Sequence, residues 1–189
     1  MKLSVFAVVA AVNAIKISDL LSAPNSNTTW AWSVISSINI SATQNVTLFV
    51  PTDAAIAAIN QSYPDLFAQT VNLPDNLKGL LSYYTLNGSL AAPSAGKHFL
   101  TTNFGATILL KQSSNSTLPL RVTGGLNLTA NVISRLEASD GVVYLIDSVV
   151  VPPLPLTTTA AALGLKGFKD IVTGATLYSY IDQLSNRTM

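Results

Sequence analysis

The tightest constraint in the chain is the fourteen-residue run Thr47–Asn60, TLFVPTDAAIAAIN. Thr47–Val50 reads as a short strand, and Pro51, which has no N–H to donate, must end its ladder. Thr52 or Asp53 can then cap a helix by accepting a hydrogen bond from an unpaired first-turn N–H, and Ala54–Ile59 continue that helix. Strand, Pro-Thr-Asp corner and small-residue helix are compressed into one segment with a carboxylate at the bend. Asp53 therefore has two readings. It braces the corner, or it works with a second group as a catalyst.

The rest of the chain is poor in charge. Of 189 residues only 10% are Asp, Glu, Lys or Arg, against about 25% in an average soluble protein, and the mean hydropathy is +0.43. Something else must hydrate the surface. Eight of the fourteen asparagines, Asn27, Asn39, Asn45, Asn60, Asn87, Asn115, Asn127 and Asn186, begin N-x-S/T without an intervening proline. That is the acceptor pattern for N-glycans, which would supply the missing hydration. The N-terminus points to the same compartment. MKLSVFAVVAAVNA has a cationic start at Lys2, an apolar run from Leu3 to Val12 and small residues suited to cleavage after Ala14, so residues 1–14 read as a secretory leader. No other stretch has membrane-spanning length without polar interruption. The chain contains no cysteine, which removes zinc-thiolate, redox and cysteine-nucleophile chemistry. A net charge of +1 with Lys and Arg dispersed along the sequence gives no basic stripe, so nucleic acid is not an expected partner.

Period and punctuation divide the chain. Ile17–Ile38 carries apolar residues at helical spacing (Leu20, Leu21, Trp30, Val34, Ile35, Ile38), interrupted by the loop APNSNTT. A second helical stripe runs through Leu77, Leu80, Leu81 and Tyr84, with Asn87-Gly88 as the turn that ends it. Thereafter the runs GATILLKQ, LPLRVTG, LTANVISRLEA and GVVYLIDSVVVPP are short and β-rich. The last is apolar on both faces, as a central covered strand is. Helices first and strands later predict an α+β domain. After Pro152-Pro153 the pattern is helical again.

Three of these motifs, TLFVPTDAAIAAI, LKGLLSYYTLNG and GVVYLIDSVVVPP, stand in the order and spacing of the fasciclin-type extracellular domain, the FAS1 domain, which the chain resembles over residues 17–153. Residues 157–189 look like the first helices of a second, truncated repeat. The resemblance implies a wedge-shaped antiparallel β-sandwich decorated by helices, in an extracellular or wall-associated adhesion protein. Two positions depart from the family pattern. Its Tyr-His pair is Tyr83-Tyr84 here, and the Asp-Ile dipeptide that precedes the second signature in some animal members is Arg135-Leu136. A cation stands where a carboxylate would complete a receptor's metal site, which turns the expectation toward a different partner. Tyr83, Tyr84, Arg135 and Leu136 are the candidate binding residues.

Candidates for chemistry are few. Asp53 with Asp147, which lies in the other signature, could form the carboxylate pair of a glycoside hydrolase. The alternative is that Thr52 and Asp53 cap the corner and Asp147 accepts structural hydrogen bonds. His98 is the lone histidine, and no G-x-S-x-G elbow accompanies it. Tyr84 continues the helical stripe into the core, leaving Tyr83 freer to face outward. The sequence therefore predicts a secreted, N-glycosylated adhesion or matrix-type binding module without catalysis, metal or cofactor. Its expected partners are extracellular or cell-surface proteins or wall polysaccharide. A glycoside hydrolase and a structural cell-wall glycoprotein are the alternatives, and any wall or membrane attachment would lie beyond Met189.

Overall fold

The computed structural model describes residues 15–23, 27–38, 45–64, 67, 74–115, 119–155, 159–160 and 164–174. The predicted leader, Asn39 and Asn186 lie outside them. Two helices, α1 (Ile17–Ser22) and α2 (Thr29–Ile38), precede strand β1 (Val46–Pro51), followed by α3 (Asp53–Ser62) and α4 (Pro74–Tyr83). Six strands come next: β2 (Thr85–Asn87), β3 (Gly96–Thr101), β4 (Thr107–Gln112), β5 (Arg121–Thr123), β6 (Thr129–Ala138) and β7 (Gly141–Ile146). Helix α5 (Lys166–Gly174) follows them. This is the α+β class that the change of period predicts.

All seven strands belong to one sheet, ordered β2-β1-β7-β6-β5-β4-β3. Neighbours pair antiparallel except β1 and β7, which run parallel from Val46↔Gly141 to Pro51↔Ile146. That pair refines the expected all-antiparallel arrangement. Both strands are almost wholly buried, and strands covered on both faces tolerate the parallel pairing that exposed meanders avoid. The two signature motifs thus supply adjacent interior strands of the sheet.

Strand β6 joins the two halves of the sheet. Its first residues pair with β5 and its later ones with β7, with a register shift between Val132 and Ser134. Such a bulge bends a strand and increases its twist. One core cluster draws on both sides of the bend, combining Phe49, Val143, Tyr144 and Ile146 with Ile108, Leu110 and Val122. Phe49 and Tyr144 stack with ring centroids 5.5 Å apart. Helix α4 buries Leu80 and Leu81 on this core, as its stripe predicts. It ends at Tyr83, however, and Thr85–Asn87 form an edge strand on β1 where the sequence suggests helix up to the Asn87-Gly88 turn. Thr47, fully buried, holds the next loop by donating to Gly88 O and accepting from Leu90 N, both at 2.7 Å.

The first described residues are tied to the β6–β7 turn. Ser139 N donates to Ile15 O at 2.9 Å, and Ile17 N donates to Asp140 Oδ1 at 2.9 Å. At the other end, packing continues past Pro153. Leu154 joins a satellite cluster with Ile56, Ile59 and Val149, and Ala160 is buried. Beyond it Leu165, Phe168 and Ile171 are exposed.

Candidate functional site

Strands β1 and β7 end side by side at Pro51↔Ile146, and Thr52 N donates to Ile146 O at 3.1 Å. The parallel pairing thereby carries Asp53 and Asp147 to the same end of the sheet, two and one residues past their respective strand ends. The approach of the two signatures that the sequence suggests is real. What the carboxylates do there is set by their partners.

Thr52, not Asp53, caps α3: its side-chain oxygen accepts from Ala55 N at 3.2 Å. Asp53 instead reaches back to the start of α2. Its Oδ2 accepts from Thr29 N at 3.1 Å and its Oδ1 from Trp30 N at 2.9 Å, two of the first-turn donors that a helix leaves unpaired. Its own N–H donates to Asn27 O at 2.9 Å. Asp53 is thus the first residue of α3 and closes the N-terminus of α2, and a negative charge there is favoured by both macrodipoles. Asp147 does similar work on β6, accepting from Asn131 N at 2.7 Å through Oδ1 and from Asn131 Nδ2 at 2.8 Å through Oδ2. All four carboxylate oxygens accept from N–H groups.

The tyrosine pair differs from its expected disposition. Tyr84 is buried as predicted, and its hydroxyl donates to Val150 O at 2.8 Å. Tyr83 does not face outward. It has 0% of its surface exposed, packs edge-on against Phe104, and lies against Gly124, where a Cβ would come within 2.7 Å of its hydroxyl. The Gly125 amide is near, but that N–H is already given to Val151 O at 2.7 Å, so the buried Tyr83 hydroxyl has no hydrogen-bond partner among the described residues. Burial pushes Tyr83 up to about 12, against a smaller pull from Gly125. Burial likewise raises Tyr84, and the bond to Val150 opposes it. The turn of the chain after α4 explains the correction: Tyr83 closes the helix while Tyr84 leaves it, and both rings end inside.

Arg135 is an exposed residue of β6 and Leu136 is half-buried. The guanidinium pairs with Glu137 at 2.5 Å, donates through Nε to the Tyr144 hydroxyl at 3.2 Å and lies 5.8 Å from the Tyr144 ring centroid. The Glu137 and Tyr144 bonds hold Arg135 in its charged form, above its usual range. His98 lies on β3 with Nε2 2.9 Å from Ser94 O. Among the described residues no three His, Asp or Glu side chains gather as a metal site, and no helix is long and apolar enough to cross a membrane. The six described acceptor asparagines, Asn27, Asn45, Asn60, Asn87, Asn115 and Asn127, are all exposed.

Sequence reading misses the outer face of β3, β4 and β5, where Lys97, Lys111 and Arg121 stand opposite one another. Fourteen and ten residues separate them along the chain. Alternation within each run places them on one face, but only the register reveals that they align.

The family model for the fasciclin domain matches residues 9–152, well over half of the chain. No curated protein matches. Among solved structures, a FAS1 domain pair from the insect cell adhesion molecule Fasciclin I is similar at 16% identity and a TM-score of 0.48, over 79% of this chain and 51% of that one. The chain spans about half the length of that structure.

Proposed function

The chain belongs to the fasciclin-domain family, and we propose that it is a secreted, N-glycosylated adhesion or matrix-type module that binds extracellular proteins or wall polysaccharide without catalysis. The observation that carries this reading is the commitment of the two signature carboxylates. A hydrolytic pair needs one carboxyl free to give a proton and the other free to attack or activate water. Asp53 is engaged by the α2 N-terminus and Asp147 by Asn131, each through both oxygens. The residues at the meeting of the signatures hold elements together, which leaves the surface for function.

The exposed acceptor asparagines support the extracellular half of the reading. They lie in loops, at strand ends or on the exposed side of a helix, where a glycan displaces nothing. Lys and Arg are few, so the glycans also account for solubility. Fasciclin domain 17–153 and a second repeat starting at 157 are the boundaries of this proposal, with the packing of Leu154 and Ala160 extending the first unit a little further. Expression in a eukaryotic host, followed by peptide mapping after glycosidase treatment in heavy-oxygen water, tests it. Occupancy of most of the six exposed sites is expected. Fewer than about three occupied sites would contradict the glycoprotein reading.

A further inference from the structure

The outer face of the β3-β4-β5-β6 half-sheet carries a cross-strand row that starts at Lys97 and runs through Lys111 and Arg121 to Asn131. The three cations are exposed, on adjacent strands about 4.8 Å apart. Like charges set directly opposite are destabilising, and here three occur in succession in a chain with ten Lys and Arg in all. No described carboxylate forms an ion pair with any of them; the ion pair among the described residues is Arg135–Glu137, elsewhere on β6. The nearest acid along the row is Asp147, whose two oxygens are held by Asn131.

The neighbouring row on the same face has a different chemistry. Phe99 pairs with Leu109, Leu109 with Thr123, and Thr123 with Thr129. Phe99 is 71% exposed, and the Thr123 and Thr129 hydroxyls lie 3.1 Å apart. An open aromatic face, hydroxyls and an evenly spaced line of cations thus share one surface. The opposite face of the same strands is the core, through Leu110, Val122 and Ala130.

We propose that this face binds an acidic polysaccharide, with Lys97, Lys111 and Arg121 on successive carboxylates or sulfates and Phe99 stacked on a sugar ring. The proposal rests on the binding-module reading and names its ligand class. A linear polyanion of pyranose rings presents charge at intervals on the order of the strand spacing, together with apolar ring faces that suit an exposed aromatic and hydroxyls that suit threonine. Three cations, in a chain whose net charge is +1, fall short of the six to ten phosphate contacts that give duplex nucleic acid its affinity. They also fall short of the clusters of four to eight that mark anionic membrane surfaces. Asn115 and Asn127 sit at opposite ends of β5, in the loops leading to β4 and β6, so glycans there would bracket the face without standing on the row.

The full chain, as secreted and again after N-glycan removal, is passed over immobilised polygalacturonate and over its methyl-esterified, uncharged form. Retention by the charged polymer alone, weakening between about 50 and 200 mM salt, is expected. Each of Lys97→Gln, Lys111→Gln and Arg121→Gln should lower affinity about three- to fivefold. The triple variant should lose retention, and Phe99→Ala should weaken it without changing its salt dependence. The melting temperature of Lys111→Gln should stay level or rise, since repulsion is relieved, which separates lost binding from lost folding. Retention of the triple variant, indifference to esterification, or no retention of either form of the wild-type chain overturns the proposal. So does equal binding to duplex DNA or phosphatidylserine vesicles that the same variants abolish. Bead-aggregation assays with the triple variant distinguish the two readings: aggregation that persists leaves the adhesion module standing without this ligand.

Discussion

Asp53 carries more structural consequence than its own helix reveals. Removing its carboxylate frees the Thr29 and Trp30 N–H groups at the start of α2, so Asp53→Ala should cost about 1–2 kcal/mol. Asp53→Asn, which keeps one acceptor oxygen, should cost less. Thermal melts check both, and an unchanged melting temperature for Asp53→Ala would mean that the carboxylate is not holding the corner. The two tyrosines should respond in opposite senses. Tyr84→Phe strands Val150 O in the core and should destabilise by about 1–3 kcal/mol. Tyr83→Phe removes a hydroxyl that has no partner among the described residues and should be neutral or stabilising. Their ionisation sets an alkaline limit. Burial raises Tyr83 from 10.0 to about 12 in the folded chain, so the folded state holds its proton where the unfolded state has lost it. That contribution to stability is complete below pH 10 and disappears as pH rises toward 12. Unfolding followed by tyrosinate absorbance should begin in that window, and Tyr83→Phe should move its midpoint upward. At this scale the sequence was legible where a residue acts locally, as with Thr52. The target of Asp53, twenty-four residues back, and the burial of Tyr83 depend on contacts that local spacing does not encode.

Among the elements, the helical stripes of α2 and α4 and the covered strand β7 were readable because each advertises its period. The edge strand β2 was not, since three residues carry too little alternation to compete with the helix before them. The parallel β1–β7 pair was hidden by the long stretch of chain, residues 52–140, between its members. That pair has a sensitive point at Gly141, where φ is +156° and an added Cβ would meet Val46 O at 2.0 Å. Gly141→Ala must displace the backbone of β1 or open the pair, and a loss of about 3 kcal/mol or more is expected. Chemical denaturation measures it, and a loss below about 1 kcal/mol would show that β1 yields easily at this end. The chain after Pro153 divides similarly. Leu154 and Ala160 are packed, whereas Leu165, Phe168 and Ile171 are exposed on and before α5. Trypsin should cut at Lys166 or Lys169 and leave a product whose melting temperature matches the full chain. Truncation at Pro153 should lower it, because the satellite cluster loses Leu154. Resistance at both lysines, with a melt that falls when α5 is removed, would make α5 part of the first unit.

For the whole molecule, sparse charge was the most informative single property of the sequence, because it forced the question of what hydrates the surface. It was also where linear reading failed. Lys97, Lys111 and Arg121 look scattered until antiparallel pairing sets them in a row, since sheet register converts separation along the chain into proximity across it. The family motifs were legible for the opposite reason: each is a continuous segment whose strand, corner or covered run is fixed by its own residues. The signature carboxylates belong to the framework, and the proposed binding falls to the surface. This central claim is tested most directly by measuring reducing-sugar release from mixed wall polysaccharides by the wild-type chain and by Asp147→Asn. No release above the buffer control is expected from either protein. Release by the wild type that disappears in an Asp147→Asn variant of unchanged secondary structure and cooperative melting would contradict it.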